Sequence, residues 1–289
     1  MGFDYRCFFC FNRAFERLLK KEQLTTEEAN HFTGEMMKLY LEGSKTLSTP
    51  QFSRELHIRL KKYTGQSDPY LHGKKQSNDL VLSMYQTLKK KVEAATDPFD
   101  MALRLAIAGN IIDFAVNDQY NLNETIDFVL SSDFGIDHSQ ELKAALSQAN
   151  TVLYLGDNNG EVVFDKLFIE TINHPNLVYA VRGAPIINDV TLEDATYVGM
   201  DKLVPVISNG FDAPSTILEH CSGEFREVFN TADVIISKGQ GNLEGLLDHP
   251  ANNLFFLLMV KCDVIAERLG VSKGSFVVKH NTNNTRKTA

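Results

Sequence analysis

The sequence predicts an α/β protein, in which a three-layer α/β/α domain with a mostly parallel, doubly wound sheet follows an all-helical region. Residues 1–148 place apolar residues at the three- and four-residue spacing of helices, whereas residues 149–289 alternate short β-rich runs with helical patterns. The β-rich runs are apolar almost throughout, which is typical of parallel strands covered on both faces. We expect the helical region, 1–148, and the α/β/α core, 149–289, to pack as one unit.

The helical region begins with segments whose ends carry capping residues. A Thr-Thr-Glu-Glu run predicts a helix start and Gly43 predicts its end, while Pro50 and Gly65 bracket the next helix. Four more helices are predicted, in the segments DLVLSMYQTLKKKVEAATD, FDMALRLAIAGNIIDFAVND, NLNETIDFVLSS and SQELKAALSQA. The second of these is apolar almost all round, so we place it at the centre of the protein.

Six strands are predicted in the second part of the chain. They are the runs TVLYLG, LVYAVRG, LVPVIS, ADVIISKG, LFFLLMV and SFVVKH. Right-handed crossovers bring the carboxyl ends of parallel strands to one edge of a sheet, where the ligands of doubly wound folds bind. We therefore expect the functional residues in the loops that follow these strands.

Composition excludes several classes of partner. The formal net charge is −8, which argues against nucleic acid because its phosphates need a basic surface. Apolar runs are too short to span a membrane, and the start MGFDYRCFFCFNRAF lacks the layout of a signal peptide. We expect a cytoplasmic protein that acts on a small molecule, and the sequence leaves the oligomeric state open.

Polar residues cluster directly after four of the predicted strands. The loops contain Asp157-Asn158-Asn159-Gly160-Glu161, then Arg182 with Asn188-Asp189, then Ser208-Asn209-Gly210, and finally Lys238-Gly239-Gln240-Gly241-Asn242. A single loop of this kind is also explained by an ordinary turn and helix cap. Four such loops at one edge of the sheet favour a binding site instead.

A nucleotide site and a metal site make different demands on these loops. A methyltransferase or dinucleotide site needs an acidic residue after the second strand for the ribose hydroxyls, but Arg182 and Gly183 stand there. By contrast, Asp157, Asn158 and Asp189 offer the hard oxygen donors that Mg²⁺ and Mn²⁺ prefer. The sequence therefore favours a divalent metal.

The same loops offer groups for a phosphate. Lys238 would meet it as a point charge, and the glycines Gly160 and Gly239 would let backbone N–H groups approach the anion. The predicted helix that starts near Glu161 adds its positive end. A small phosphorylated metabolite is the expected partner.

Three segments, LGDNNGEVVFD, RGAPIINDVTLEDA and ISKGQGNLEGL, resemble the damage-control phosphatases, a family formerly filed as a domain of unknown function, with relatives called acidic-residue methyltransferase-like. RCFFC, DPYLHGKKQSND and AIAGNIIDFA resemble its short, mostly prokaryotic branch, which has an N-terminal C-x-x-C. The resemblance implies a metal-dependent phosphatase of sugar phosphates and other metabolites that uses Mn²⁺, Co²⁺, Ni²⁺ or Mg²⁺. It also implies that Asp157, Asn158 and Asp189 hold the metal and that Lys238 contacts the phosphate.

Further residues are expected to bind the substrate: Asn159, Gly160, Arg182, Asn188, Gly239, Asn242, Asn110 and Asp113. Arg182 departs from the Lys, Asn or Ser common in other branches, so it is expected to alter substrate contacts. Asn110 and Asp113 are polar positions on an apolar helix, and they either line the pocket or are hydrogen-bonded in the core. Tyr70, Lys74 and Asn78 either close over the site or belong to a solvated connector.

Catalytic roles are expected for Asp157, Asp189 and Lys238, with two mechanisms left open. Asp157 attacks phosphorus itself, or a metal-bound water attacks with Asp157 or Asp189 as the base, and the second is favoured slightly. Two other functions compete with phosphatase activity. One is an S-adenosylmethionine-dependent carboxyl methyltransferase, which the missing ribose acid disfavours, and the other is a non-catalytic module that binds a metal and a phosphate.

The cysteines form a separate feature. Cys7 and Cys10 make the C-x-x-C in a helical pattern, where they also fit as two small apolar residues. Together with Cys262 they are candidates for a second metal site or a redox response.

Overall fold

The computed structural model describes residues 3–115, 122–251 and 253–282, and for residues 110–115, 122, 123 and 125 it describes the backbone alone. Asn110 and Asp113 therefore lie outside the described side chains. None of the helices in the described part of the chain is long and apolar enough to cross a membrane.

The first three helices form a bundle with its own core. They are α1 Tyr5–Lys21, α2 Thr26–Gly43 and α3 Thr49–Thr64. Reciprocal side-chain and backbone hydrogen bonds at Thr25 and at Ser48 start α2 and α3, which satisfies N–H groups that a helix start otherwise leaves unpaired. The apolar faces of the bundle meet around Phe15, Phe32, Phe52, Leu56 and Leu60, all 2% exposed or less.

The next helices pack against one face of the sheet. They are α4 Leu71–Glu93, α5 Pro98–Ala115, α6 Leu122–Ser131 and α7 Ser139–Gln148. Helix α5 is buried as its apolar composition predicts, with Leu103 and Ile107 inaccessible to solvent. A Cβ added at Gly109 would lie 2.9 Å from the Glu161 Cα, so α5 approaches the chain after the first predicted strand very closely.

Seven strands in the described residues form one sheet. They are β1 Phe134–Asp137, β2 Val152–Leu155, β3 Leu177–Val181, β4 Val206–Ser208, β5 Val234–Lys238, β6 Leu254–Met259 and β7 Phe276–His280. Their spatial order is β1-β7-β6-β5-β2-β3-β4, and every pair is parallel except β6 with β7. The predicted α/β/α class with a mostly parallel sheet is confirmed, and all six predicted strands are present.

Strand β1 differs from the sequence prediction, which assigned only helices to residues 1–148. It lies at the edge of the sheet and pairs in parallel with β7. Its four residues, FGID, alternate between half-buried and exposed. An edge strand this short with a glycine inside it shows neither the apolar run nor the length that predicts the other strands.

Two layers of helices cover the sheet. Helix α8 Glu161–Ile172 and the short α9 Leu192–Tyr197 lie on the face that α5 covers, whereas α10 Gly223–Thr231, α11 Gly239–Leu246 and α12 Asp263–Leu269 pack on the opposite face. The chain leaves β2 toward β3 and β4, then returns to β5 and β6 on the other side. This reversal opens a crevice between the carboxyl ends of β2 and β5, where doubly wound folds bind ligands.

Candidate active site

The three residues predicted to hold a metal come together at this crevice. Asp157 and Asn158 follow β2, and Asn158 forms an isolated antiparallel bridge with Asp189 from the loop after β3. The Val190 N–H donates to the Asp157 carbonyl over 2.9 Å, which fixes the two loops side by side. The three side chains belong to residues that are only 3–6% exposed. We refer to Asp157 and Asp189 as the carboxylate pair.

Gly239 allows β5 to end close to the carboxylate pair. Its φ is +76°, in the left-handed region that favours glycine, and a Cβ at this position would lie 1.8 Å from Asp157 Oδ2. Any larger residue would displace the Asp157 carboxylate. Gly239 therefore shapes the site through its missing side chain, and the predicted contact between its N–H and a substrate stays a prediction.

Arg182 connects the two carboxylates. Its Nε donates to Asp189 Oδ2 over 2.6 Å and its Nη2 donates to Asp157 Oδ1 over 3.4 Å. Its Nη1 donates to Asn242 Oδ1 over 2.9 Å and to Thr216 Oγ1 over 3.3 Å. Arg182 was predicted to bind substrate, but here its guanidinium contacts the predicted metal ligands and buried polar groups.

Burial disfavours the charged forms of both acids of the carboxylate pair. Burial raises the pKa of Asp157 well above its usual value, and repulsion from Asp189 and Glu161 raises it further, while Arg182 and Lys261 oppose these effects. Burial also raises the pKa of Asp189, again against the charge of Arg182. Two desolvated carboxylates that repel each other are the arrangement that a bound divalent cation stabilises.

The donor chemistry of the site fits such a cation. No three His, Cys, Asp or Glu side chains in the described ranges are grouped so that they could hold a metal ion. At the carboxylate pair, Asn158 offers an amide oxygen as a third donor, since it follows Asp157 in the chain and bridges to Asp189. Two carboxylates and one amide form the oxygen-rich set that suits Mg²⁺ or Mn²⁺.

Lys238 lies behind the carboxylate pair in a fully buried ion cluster. Its Nζ donates to Glu161 Oε1 and Asp165 Oδ1, each over 2.5 Å, and to the Ala106 carbonyl of α5 over 2.8 Å. These three bonds use all the hydrogens of its ammonium. We refer to Lys238, Glu161 and Asp165 as the lysine cluster, and the predicted phosphate contact of Lys238 would require one of these bonds to break.

Two tyrosine hydroxyls complete the lysine cluster. Tyr154 and Tyr179 donate to the Asp165 carboxylate over 2.7 and 3.1 Å. Burial raises the pKa of Asp165 to about 6 despite the charge of Lys238. Burial alone would lower the pKa of Lys238, but Asp165 and Glu161 outweigh it and the pKa is raised. The cluster therefore holds a protonated lysine in the core of the protein.

The helical region contributes a side chain that positions the β2–α8 loop. Asn78 of α4 donates to Asn159 Oδ1 over 2.7 Å and accepts from the Gly160 N–H over 2.6 Å. Asn159 in turn donates through its backbone N and its Nδ2 to the Asn188 carbonyl, 2.9 Å in each case. Asn159, Gly160 and Asn188, predicted as substrate contacts, thus hold the loops of the carboxylate pair together.

Asn78 and its neighbours do not form the solvated connector considered above. Asn78 and Lys74 lie on α4 and are 1% and 2% exposed. Lys74 pairs with Asp68 over 3.0 Å and Asp194 over 2.7 Å, and the Tyr70 hydroxyl lies 3.0 Å from His57 Nε2. These residues fix the helical region against the core.

The loop that carries Asp189 is strained and clamped. Ile187 has a φ of +45°, which is unfavourable for a β-branched residue and costs about 1–3 kcal/mol. Lys61 of α3 donates to the Pro185 carbonyl over 2.6 Å in the same loop. The surrounding contacts maintain a backbone shape that places Asp189 opposite Asn158.

The cysteines are only partly brought together. Cys7 and Cys262 are half-buried and close enough for their charges to interact, and Gln240 Nε2 donates to Cys262 Sγ over 3.5 Å. Cys10 is exposed. The proposed role of Cys7, Cys10 and Cys262 in metal or redox chemistry stays a prediction.

Sequence reasoning did not single out Lys261 as a site residue. It follows β6 at the same edge of the sheet, and its charge lowers the pKa of both Asp157 and Asp189. Its position two residues after a buried parallel strand was a usable signal. Glu161 was recognised as a polar loop residue but given no site role, and Asp165 was missed within the helical pattern of α8.

Comparison with known proteins identifies relatives along almost the whole chain. Residues 3–277 match the damage-control phosphatase ARMT1-like domain. The chain is 34% identical over 289 residues to a damage-control phosphatase of Pyrococcus horikoshii, covering 97% of this chain and 99% of the relative. It is 33% identical over 231 residues to a damage-control phosphatase of Archaeoglobus fulgidus, covering 78% and 80% of the two chains.

A solved structure extends the likeness to the whole fold. The crystal structure of a DUF89 family protein from Pyrococcus horikoshii superimposes with a TM-score of 0.90 and 33% identity, covering 98% of this chain and all of that one. The sequence match and the structural match thus both span the helical region and the sheet. The chain belongs to the ARMT1-like damage-control phosphatase family.

Proposed function

We propose that this protein hydrolyses phosphate monoesters of small metabolites, such as sugar phosphates, with a divalent metal held by Asp157, Asn158 and Asp189. Membership of the damage-control phosphatase family supports a phosphatase that acts on damaged metabolites. The observation that carries the metal assignment is the carboxylate pair, two buried acids that meet at the switch point beside the amide of Asn158. Mn²⁺, Mg²⁺, Co²⁺ and Ni²⁺ all suit this site.

A metal bound there would polarise a phosphoryl oxygen and stabilise the charge that develops on it. Both carboxylate oxygens of Asp157 accept hydrogen bonds, Oδ1 from Arg182 and Oδ2 from Asn158 over 3.0 Å. In this proposal Asp157 therefore serves as a ligand and base, and it does not attack phosphorus itself. A water then attacks phosphorus, a carboxylate takes its proton, and the bond to the ester oxygen breaks. The carboxylic acid formed in this way returns its proton to the leaving alkoxide, which gives the alcohol and inorganic phosphate.

Lys261 is proposed to attract the phosphate into the site. Its charge acts on Asp157 and Asp189, while its backbone N–H is fixed by a 3.0 Å bond to Gln240 Oε1. Lys238 can take this part only if it leaves its two buried ion pairs. We expect Lys261→Met to raise the KM for a phosphate ester about tenfold, as for the loss of a charge-assisted contact.

The test is phosphate release from a panel of sugar phosphates after chelation and reloading with a single metal. Wild type is compared with Asp157→Ala, and Asp248→Asn on the protein surface serves as a matched control. We expect metal-dependent release that is lost in Asp157→Ala and kept in the control. If no metal and no substrate gives release by a folded wild-type protein, the phosphatase proposal is wrong, and S-adenosylmethionine binding would be measured next.

A further inference from the structure

Arg182 raises a question of charge balance at the carboxylate pair. Its guanidinium is paired with both acids, with 2% of the side chain exposed, against 8% for Asp157 and 4% for Asp189. With both acids ionised, Asp157, Asp189 and Arg182 have a formal net charge of −1, and Lys261 contributes its own positive charge to the same site. A divalent cation brings the formal charge of the first three residues to +1, whereas without Arg182 the same cation would bring Asp157 and Asp189 to zero.

The guanidinium is anchored on the side away from the carboxylates. Asn242 Nδ2 donates to the Lys238 carbonyl over 2.8 Å and to the Gly156 carbonyl over 3.1 Å. Since these bonds fix the Asn242 amide, its Oδ1 points at Arg182 and accepts from Nη1 over 2.9 Å. The ends of β2 and β5 thus determine where the guanidinium lies.

A second anchor comes from the segment before the 3₁₀ turn at Leu218–His220. Thr216 Oγ1 accepts from Arg182 Nη1 over 3.3 Å and donates to Asn242 Oδ1 over 2.9 Å. This segment passes so close to α11 that a Cβ at Gly241 would lie 2.2 Å from the Pro214 carbonyl oxygen. The close passage holds Thr216 in place, so Thr216 and Asn242 together fix the guanidinium of Arg182 beside the carboxylate pair.

We propose that Arg182 is a positioning residue that sets the charge of the metal site: it weakens metal binding and strengthens the binding of a phosphate group to the metal-loaded protein. This inference rests on the proposed metal site and extends it. The guanidinium of Arg182 is a cation held close to the carboxylate pair, so it repels a metal cation at the same place. Removing this guanidinium must therefore strengthen metal binding. The same removal takes positive charge away from the place where a phosphate dianion binds.

The test measures two affinities that move in opposite directions. Binding of Mn²⁺ to the chelator-treated protein is followed through the loss of the electron paramagnetic resonance signal of free Mn²⁺. Binding of inorganic phosphate to the Mn²⁺-loaded protein is followed by calorimetry. For Arg182→Gln we expect Mn²⁺ to bind about tenfold more tightly and phosphate about tenfold more weakly, as the Coulomb interaction of close charges predicts.

Two further variants separate charge from structure. Arg182→Lys keeps the charge, so both affinities should stay within about threefold of wild type. Arg182→Met also removes the charge and replaces Arg182→Gln in the comparison if that variant does not fold, as judged by circular dichroism. A general loss of structure would weaken the binding of both Mn²⁺ and phosphate, so it cannot shift the two affinities in opposite directions.

Two outcomes would overturn the proposal. Folded neutral variants that bind Mn²⁺ as wild type does, or more weakly, would show that Arg182 does not compete with the metal. Mn²⁺ binding by Asp157→Asn tests the proposed metal site without a measurement of activity. If this variant binds Mn²⁺ like wild type, the ion lies elsewhere, and the proposed metal site fails together with the role of Arg182.

Discussion

The carboxylate pair and the lysine cluster lie next to each other. In the lysine cluster two acids contact Lys238, and at the carboxylate pair two acids contact Arg182. In the lysine cluster, three ammonium bonds and two tyrosine hydroxyls satisfy the charges, and the side chains are inaccessible to solvent. At the carboxylate pair, the contact from Arg182 to Asp157 is long, at 3.4 Å, and the two acids keep some exposure to solvent. The comparison teaches that burial and bonding differ between the two groups: the lysine cluster is closed to solvent on all sides, whereas the carboxylate pair lies at the crevice and keeps contact with solvent.

The largest effect on stability is expected from Lys238→Met. The substitution leaves Glu161 and Asp165 buried without their ammonium partner, which should lower the free energy of unfolding by about 3–5 kcal/mol. Urea unfolding measures it. Lys89→Met removes a half-exposed pair with Glu170 and should cost under about 1 kcal/mol. If Lys238→Met and Lys89→Met lowered the free energy of unfolding equally, the buried cluster would contribute no more to stability than the surface pair, which would contradict this prediction.

A smaller effect is expected from Asn78→Ala, which disconnects α4 from the loops of the carboxylate pair. The buried Gly160 N–H and Asn159 Oδ1 lose their partner, at a cost of about 1–3 kcal/mol. Because these groups position metal ligands, kcat/KM should also fall about 10–100-fold. Exposed Asn30→Ala is the control, and unchanged kinetics for Asn78→Ala would show that the helical region does not position the site.

The smallest effect concerns Glu244 of α11, a half-buried acid outside both groups. Burial raises its pKa from 4.5 to about 7. An acid with a raised pKa in the folded state favours folding at low pH, and this contribution is lost as pH rises from the unfolded-state value of 4.5 through about 7. Wild type should therefore lose about 1 kcal/mol relative to Glu244→Gln between pH 5 and pH 6. Exposed Glu224→Gln should show no such relative change in urea unfolding.

The sequence predicted the fold and the composition of the carboxylate pair well. Apolar runs located six strands, and because parallel strands share one carboxyl edge, Asp157, Asn158 and Asp189 were expected to meet. These inferences need only local patterns and topology. Strand β1 escaped because its pairing with β7 joins segments about 140 residues apart, with no local signal in FGID.

The residues that each charged side chain contacts could not be predicted from the sequence. Lys238 stands at the carboxyl end of β5, at the same edge of the sheet as the other site residues, and only the packing of α5 and α8 shows that its ammonium points into the core. Likewise, the link between Asn78 and Asn159 spans 81 residues. Side-chain direction depends on tertiary packing, so residue type and spacing could not distinguish a phosphate contact from a buried ion pair.

The most direct test of this account is metal-dependent phosphate release by wild type and Asp189→Asn, with urea unfolding of both. Because the carboxylate pair is assigned to catalysis, we expect kcat/KM to fall about a thousandfold or more, equivalent to several kcal/mol of transition-state stabilisation. The free energy of unfolding in chelator should stay within about 1 kcal/mol of wild type, since one of two repelling acids is removed. Activity within tenfold of wild type would contradict the assignment of the carboxylate pair as the metal-binding catalytic centre.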